Sequence, residues 1–215
     1  MIEQRAYLRD CMAAMAEFPD KFFDLAVVDP PYGIGAAGMN LGAGTGKRCS
    51  KLKNRKWTSK AWDKEAPPQL YFDDLRRVSK NQIVWGANHF IGHLPFNSPC
   101  WLVWDKKIDD AMSFASIELA YTSFRSSAKI FSNSVYLDKG NRIHPTQKPI
   151  ALYDWIFANY ANAGQKVLDT HLGSGSSRIA ANKAGIDFWG YELDPDYFAA
   201  HEKRYANFVA QLRMF

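Results

Sequence analysis

Four consecutive residues with the chemistry of a binding site, Asp29, Pro30, Pro31 and Tyr32, directly follow an apolar run at 24–28. That run has the composition of a buried β-strand, so the four residues lie at the C-terminal end of a strand. A carboxylate accepts hydrogen bonds, the prolines stiffen the backbone, and an aromatic ring stacks on planar groups. Because open α/β sheets bind ligands outside the C-terminal ends of their strands, the segment predicts a site for a planar, hydrogen-bonding substrate. The alternative is an ordinary aspartate that caps a turn.

A glycine-containing turn follows a second apolar strand, at 166–169, and precedes a predicted helix. Glycines lack Cβ atoms where a nucleoside passes the backbone, and Glu192, about 20 residues further on, can accept both ribose hydroxyls. The third glycine of a GxGxxG fingerprint is absent, which argues against a dinucleotide and leaves S-adenosylmethionine as the obvious candidate. A plain strand-to-helix turn is the alternative. The cofactor-binding residues predicted here are Asp169, His171, Gly173, Ser174, Gly175, Ser176 and Glu192.

A third polar segment, 144–149, has the sequence His-Pro-Thr-Gln-Lys-Pro and stands immediately before a predicted helix. A lysine at the start of a helix opposes the helix dipole, so we expect a carboxylate to offset the charge of Lys148, and we assign that carboxylate to a ligand. The alternative is a polar loop with proline at the first helical position. Three side chains of this segment join the predicted cofactor site: Thr146, Gln147 and Lys148.

The composition is typical of one globular domain with a basic surface. Its 215 residues, 47% of them hydrophobic, are enough for one sizeable core and few for two. The excess of 27 Lys+Arg over 22 Asp+Glu favours polyanionic partners. Cys11, Cys49 and Cys100 have neither the pattern of a disulfide framework nor that of a zinc site, which predicts a reducing, cytoplasmic location and no metal. No apolar stretch reaches the roughly 18 residues that span a bilayer, so we expect neither export nor a membrane location.

Strand and helix patterns alternate along the chain, most clearly over 166–212, where they predict a βαβα unit. We therefore predict a single α/β domain with a doubly wound, mostly parallel sheet. The pattern is weakest over 105–142. Predicted strands span 3–8, 24–29, 82–85, 101–104, 117–123, 128–131, 166–169 and 187–192. Predicted helices span 10–18, 67–78, 149–160, 177–184 and 196–212.

Together the three polar segments resemble the DNA amino-methyltransferases, specifically the circularly permuted beta-type group, in which the catalytic half precedes the cofactor half. The resemblance implies a Rossmann-like methyltransferase fold, with a catalytic part at 1–143 and a cofactor part at 144–215. It also implies S-adenosylmethionine as the cofactor and double-stranded DNA as the substrate. In that group a DPPY-type motif usually accompanies methylation of adenine N6 and an SPPY-type motif that of cytosine N4. Asp29 therefore points to adenine.

The resemblance extends to smaller segments and departs from the family pattern in the cofactor turn. The family commonly has Asp-Pro-Phe-x-Gly-Ser-Gly-Thr there, whereas this chain has Thr170, His171 and Ser176 at the second, third and last positions of that motif. An imidazole in place of the phenylalanine ring can still stack beside the cofactor. The smaller matching segments are Val84–Asn88, Val103–Lys106 and Glu118–Tyr121.

The resemblance also implies how the reaction proceeds, without a metal, on a base that has left the duplex. The Asp29 carboxylate and the backbone carbonyl of Pro30 accept both N–H bonds of the exocyclic amine, so that its lone pair faces the methyl group. Tyr32 stacks on the base, which offsets part of the free energy lost on unpairing.

A loop at 33–62 that contains no acidic residue follows the catalytic motif. Its basic side chains can neutralise phosphates beside a flipped base, or can form an ordinary solvated face. The segment 122–143 is too short for a separate target-recognition domain, so sequence specificity is short, relaxed or supplied by a second subunit, and homodimers are common in the group. The residues indicate neither the target sequence nor a restriction enzyme as partner. The predicted DNA-binding residues are Lys47, Arg48, Lys51, Lys53, Arg55, Lys56 and Lys60.

Other functions compete with this one. The same fold can act on cytosine N4 or on RNA, and a DNA-binding protein can retain the fold with a degenerate cofactor site. The intact segments at 29–32 and 144–149 speak against the DNA-binding protein, which has no need for them. A dinucleotide-dependent oxidoreductase is disfavoured because no catalytic Tyr-Lys or His pairing accompanies the glycine turn.

Overall fold

Eight β-strands and five α-helices make up the part of the chain that the computed structural model describes, which is residues 2–35, 63–95, 97–108, 115–134 and 142–212. The strands are β1 (Gln4–Leu8), β2 (Phe23–Val28), β3 (Ser79–Trp85), β4 (Trp101–Asp105), β5 (Ile117–Thr122), β6 (Lys129–Ser132), β7 (Lys166–Asp169) and β8 (Asp187–Glu192). The helices are α1 (Cys11–Met15), α2 (Gln69–Val78), α3 (Ile150–Tyr160), α4 (Ser176–Lys183) and α5 (Pro195–Leu212). Two short 3₁₀ helices, Ala87–His89 and Ile91–His93, follow β3.

The strands form one sheet in the order β1-β8-β7-β2-β3-β5-β4-β6. Neighbouring strands are parallel except at β5, which runs antiparallel to both β3 and β4. From the central β7–β2 pair, β3 continues the sheet to one side and β8 to the other. The chain order thus reverses between β7 and β2, which is where open α/β sheets form a ligand crevice. The predicted doubly wound, mostly parallel α/β fold is confirmed, whereas the direction of β5 was outside the sequence prediction.

Alternate side chains of the strands supply two cores, one on each face of the sheet. In β2, Leu25 and Val27 pack in the core that α3 and α4 cover, whereas Ala26 and Val28 pack in the core that α1 and α2 cover. All four side chains are at most 1% exposed. Burial on both faces explains why the β2 sequence is continuously apolar rather than alternating.

Strand β3 begins three residues earlier than the apolar pattern predicts, at Ser79 rather than at Gln82. The early residues are polar and carry no hydrophobic signal, but local contacts hold them in the sheet. Lys80 forms an ion pair with Asp24 of the neighbouring β2, with 2.7 Å between Nζ and Oδ1. The Ser79 hydroxyl is buried and donates to the Leu75 carbonyl at 2.5 Å.

The helix ends differ in their capping: of α1 to α4, a side-chain hydrogen bond caps the start of α1 alone. The Asp10 carboxylate accepts from the backbone N–H of Ala13 at 2.9 Å and caps α1. Pro149 precedes α3, and Gly164, with a φ of +82°, follows it. Gly175, with a φ of +70°, precedes α4. Within the described ranges, no helix combines the length and apolar character needed to cross a membrane.

Candidate active site

A cavity of about 430 Å³ lies at the C-terminal ends of the parallel strands and draws on all three segments selected from the sequence. The segment after β2 comes together there with the segment before α3 and the turn after β7, although more than 100 residues separate it from them in the chain. The predicted site residues in the cavity wall are Asp29, Pro31, Thr146, Gln147, Lys148, His171, Gly173, Ser174 and Glu192. The other predicted catalytic and cofactor residues lie outside the wall: Pro30, Tyr32, Asp169, Gly175 and Ser176.

The cavity wall also contains residues that the sequence analysis did not select. Asp10 and Cys11 follow β1, and Leu193 follows β8. The rule that selected Asp29, a position just beyond the C-terminal end of a parallel strand, could have found them. Tyr153 of α3 also lines the cavity, but its position within an apolar helical pattern is that of a core residue and gave no functional signal.

The Glu192 carboxylate is held by backbone N–H groups of two loops. Its Oε2 accepts from the N–H of Gly173 at 2.7 Å, and its Oε1 accepts from those of Leu193 and Asp194, both at 2.9 Å. Burial raises the pKa of Glu192, and the three N–H groups oppose that effect. A carboxylate has roughly four lone-pair positions, so this one retains about one for a further hydrogen bond. Three of these positions are occupied within the protein, and the binding of ribose hydroxyls by Glu192 stays a prediction.

Asp169 stabilises the glycine turn from inside the protein and does not line the cavity. It is 2% exposed, its Oδ2 accepts from the Ser177 hydroxyl at 2.5 Å, and its Oδ1 accepts from the N–H of His171 at 3.0 Å. Burial raises the pKa of Asp169 to about 7, although both hydrogen bonds act in the opposite direction. In this structure Asp169 therefore shapes the turn, and its predicted contact with a cofactor stays a prediction.

Helix α5 supports the same turn from behind. A Cβ on Gly175 would lie 2.2 Å from Cδ2 of His201, so only glycine fits against this fully buried imidazole. Burial and the charge of Arg178 lower the pKa of His201 to about 3, and the neutral ring accepts from Arg178 at 3.0 Å. Arg204, also on α5, donates to the Ser176 hydroxyl oxygen at 2.9 Å. Gly175 and Ser176 therefore shape the turn without facing the cavity.

His171 presents a neutral aromatic surface to the cavity. Burial lowers its pKa to about 4, so the imidazole is uncharged at neutral pH. Its Nδ1 lies 2.9 Å from the Thr170 hydroxyl oxygen, and its ring meets the Tyr71 ring edge to face with 5.5 Å between centroids. The ring can therefore serve the apolar stacking role of the phenylalanine that it replaces.

Both oxygens of the Asp29 carboxylate are engaged by other side chains. The Lys148 Nζ lies 2.5 Å from Oδ2, and the Tyr32 hydroxyl donates to Oδ1 at 2.7 Å. The side chain of Asp29 is 17% exposed and that of Lys148 only 3%. Burial raises the pKa of Asp29, whereas the nearby ammonium lowers it. The ion pair keeps a carboxylate at the end of β2 in a site with little solvent.

Lys148 is shared by two carboxylates of the protein. Its Nζ also lies 3.0 Å from Oε2 of Glu118, and Oε1 of Glu118 lies 2.8 Å from the Nζ of Lys106. Burial raises the pKa of Glu118, but Lys148 and Lys106 lower it to about 2. We call Asp29, Lys148, Glu118 and Lys106 the four-charge chain. The expectation that a ligand carboxylate pairs with Lys148 is wrong, because the protein supplies both of its partners.

Tyr32 is fixed by its backbone and by its ring. The N–H groups of Tyr32 and Gly33 donate to Oδ1 of Asp63 at 2.7 and 2.9 Å. The Tyr32 ring stacks on His89, with 5.0 Å between centroids and 17° between planes. A Cβ on Gly86 would lie 2.1 Å from Cε1 of the ring, so the glycine gives the ring room to approach the turn after β3. These contacts hold the tyrosine hydroxyl beside Asp29.

The predicted DNA contacts fall on a part of the chain that the structure does not describe. Part of the short segment 122–143 lies outside the described residues as well. The basic residues concerned are Lys47, Arg48, Lys51, Lys53, Arg55, Lys56 and Lys60.

Comparison with known proteins gives a family match. Residues 51–203 match the model of the N6/N4 methyltransferase family, which is described as DNA methylase. The match covers more than half of the chain. It begins after the segment 29–32, so the resemblance of that segment to the family is an indication separate from the match. The type II methyltransferase M.HpaI of Haemophilus parainfluenzae is 24% identical in an alignment of 250 positions that covers 94% of this chain and 74% of the relative.

Solved structures of methyltransferases share the fold. The complex of M1.HpyAVI with SAM matches with a TM-score of 0.60 at 18% identity, over 95% of this chain and 98% of that one. The PvuII DNA methyltransferase, described as cytosine-N4-specific, matches with a TM-score of 0.63 at 12% identity, over 93% of this chain and 85% of that one. At these identities the likeness concerns the arrangement of helices and strands.

Replacing Gly175 by alanine tests the support that α5 gives to the turn. The new Cβ meets His201 and the positive φ is strained, so we expect the free energy of unfolding to fall by about 2–5 kcal/mol. Gly164→Ala is the matched control, because Gly164 also has a positive φ but faces open space, and we expect a loss of about 1–2 kcal/mol. Urea unfolding followed by circular dichroism measures both, and equal losses would contradict the close approach of His201.

The protonation of Asp169 predicts a pH dependence of stability. Because its pKa is raised to about 7 in the folded protein, the native state binds this proton more tightly than the unfolded chain. The resulting stabilisation is present at low pH and is lost as the pH rises through 7. Between pH 5 and 8 we expect the wild type to lose about 2–3 kcal/mol more stability than Asp169→Asn. Denaturant unfolding at both pH values measures the difference, and parallel pH profiles would show that Asp169 keeps an ordinary pKa.

Proposed function

We propose, on the premise that this chain belongs to the family of N6/N4 DNA methylases, that it methylates adenine in double-stranded DNA. The methyl group passes from S-adenosylmethionine to the exocyclic N6 amine of the base. The family supplies the reaction class, the cofactor and DNA as substrate, and the choice of adenine is the part that we add.

The observation that supports the proposal most directly is the position of the Asp29 carboxylate. It lies in the wall of the same cavity as the Gly173 turn and Glu192, so the amine and the cofactor meet in one cavity. The lone pair of an adenine amine is delocalised into the ring, which makes the nitrogen a poor nucleophile. Hydrogen bonds from the amine to Asp29 and to the backbone carbonyl of Pro30 draw the nitrogen toward sp³ geometry.

The cavity fits the cofactor in size and in the chemistry of its wall. Its volume of about 430 Å³ lies within the roughly 300–1,000 Å³ of typical ligand pockets. Glu192 has an acceptor position for a ribose hydroxyl, neutral His171 offers a ring for stacking, and Gly173 has no Cβ to obstruct the turn. When bound, S-adenosylmethionine supplies a methyl group on a positively charged sulfur.

The site residues account for the remaining steps. Burial raises the pKa of Asp29, and the Lys148 ammonium opposes this by favouring the ionised form, in which the carboxylate accepts hydrogen bonds and does not donate one. Asp29 does not need to be a strong base, because the alkylated nitrogen is acidic enough to lose its proton after transfer. Tyr32, whose hydroxyl is 2.7 Å from Asp29, stacks on a base that has left the duplex. His89 stacks on the Tyr32 ring, and Phe90 meets that ring edge to face.

Cytosine N4 is the second candidate target. The family includes enzymes of both types, and the PvuII enzyme whose fold this chain shares is described as cytosine-N4-specific. Asp29 at the head of the catalytic motif favours adenine, because the resemblance associates serine at that position with cytosine. The two reactions leave different modified nucleosides and are therefore separable.

Asp29→Asn tests the catalytic role of the carboxylate while preserving its size. We expect methyl transfer to fall about 10²- to 10³-fold, because a neutral amide is a weaker acceptor for the amine and offers only one oxygen. Transfer of tritiated methyl groups from S-adenosylmethionine to unmethylated genomic duplex DNA measures the rate, and calorimetry should show cofactor affinity close to that of the wild type.

The control for this experiment is Asp154→Asn, which removes a carboxylate of α3 that pairs with Lys183 on α4. This variant should transfer methyl groups at the wild-type rate. An active Asp29→Asn enzyme would contradict the catalytic role, and a wild-type protein that labels no DNA would contradict the proposed function itself.

A further inference from the structure

The four-charge chain extends well beyond the carboxylate that meets the substrate. Lys106 and Glu118 belong to the segments Val103–Lys106 and Glu118–Tyr121, which match the family but have no role in the reaction as described so far. Neither residue lines the cavity. Glu118 nevertheless lies 3.0 Å from Lys148, which in turn lies 2.5 Å from Asp29. The two residues therefore reach the reacting carboxylate mainly through the Lys148 ammonium, with the Tyr32 hydroxyl as a longer contact to Glu118.

The arrangement poses a physical problem for the reaction. The amine of the base must donate to Asp29, but an ammonium at 2.5 Å draws negative charge from that carboxylate and weakens it as an acceptor. Lys148 has only 3% of its side chain exposed, so water gives its charge little solvation. A buried ammonium that leaves one carboxylate needs another within reach.

We propose that Glu118 is this second acceptor: as the amine of the target base binds Asp29, the Lys148 ammonium shifts toward Glu118, and Lys106 holds Glu118 in place. The inference rests on the methyl transfer proposed above. Glu118 and Lys106 are then positioning residues, because they act on Asp29 through Lys148 and touch neither base nor cofactor.

The distances make the shift a small one. Lys148 already contacts both carboxylates, at 2.5 and 3.0 Å, so exchanging the shorter contact for the longer moves the ammonium by a fraction of an ångström. The Tyr32 hydroxyl lies 3.3 Å from Lys148 and 3.4 Å from Glu118, so it can follow the ammonium. The amine of the base replaces the lost donor on Asp29, and no buried charge is left without a partner.

Lys106 determines which oxygen of Glu118 faces Lys148. It binds Oε1 at 2.8 Å and leaves Oε2 directed at the Lys148 ammonium. The side chain of Lys106 is 11% exposed, so this is not a solvent-screened surface pair. The two ammonium groups and two carboxylates of the four-charge chain balance one another. The Lys148 ammonium can therefore move from Asp29 toward Glu118 without a change in the net buried charge.

Glu118→Gln tests the exchange, because it removes the charge of the second acceptor and keeps its shape. Lys148 should then stay on Asp29, and we expect the single-turnover rate of methyl transfer to unmethylated genomic DNA to fall about 10- to 100-fold. The dissociation constants of S-adenosylmethionine and of DNA should stay close to the wild-type values. A purely structural role would instead lower the thermal midpoint and leave the rate per folded molecule unchanged, which would overturn the proposal.

Lys106→Met provides a second test with a matched control. It should slow the same step, whereas Lys107→Met should not, because Lys107 is 59% exposed and pairs with Asp105 outside the chain of charges. If Glu118→Gln does not fold, this comparison decides the matter, and equal rates for the two lysine variants would overturn the proposal.

A double-mutant cycle separates action through Lys148 from any other route. In a Lys148→Met background, the rate loss caused by Glu118→Gln should shrink to less than about twofold, since the group through which it acts is gone. A full, additive loss would refute the exchange and leave the methyltransferase assignment intact. A wild-type enzyme that methylates no DNA would instead overturn both.

Discussion

The interaction on which the site depends is the ion pair between Asp29 and Lys148, with Glu118 and Lys106 as its continuation. Removing charged groups from water costs several kcal/mol per ion, so each of these side chains needs a close partner of opposite charge. The four residues come from four segments: the end of β2, the loop after β4, the start of β5 and the loop before α3. The sheet must hold all four segments at one edge for any of the charges to be stable there.

The reversed direction of β5 is what makes this possible. Parallel strands bring only their C-terminal ends to the cavity edge, whereas β5 runs against β3 and β4 and brings its beginning there. Ile117, next to Glu118, is paired with Asp105 at the end of β4. A parallel β5 would place Glu118 at the opposite edge of the sheet. The chemistry at the end of β2 thus depends on the direction of β5, which lies two positions away in the sheet order.

Local sequence patterns were enough to find Asp29, the glycine turn and Lys148, and to place β2, β7, β8 and the helices around them. Strand-end position and glycine spacing are local properties, so they can be recognised without knowledge of the fold. The partners of Lys148 could not be found in this way, because nothing local relates it to Glu118 or Asp29. The direction of a side chain could not be predicted from the sequence for a similar reason. Asp169 stands at the end of a strand, as Asp29 does, but its side chain points inward to the Ser177 hydroxyl.

The measurement that decides the central claim most directly is mass analysis of the nucleosides in DNA from a methylation-deficient host that expresses this chain. N6-methyladenine should appear in that DNA and should be absent from DNA of the same host without the chain. N4-methylcytosine in place of N6-methyladenine would contradict the proposal that the target base is adenine. DNA with neither modified nucleoside, from cells that contain the folded protein, would contradict the assignment of a DNA methyltransferase site to the cavity.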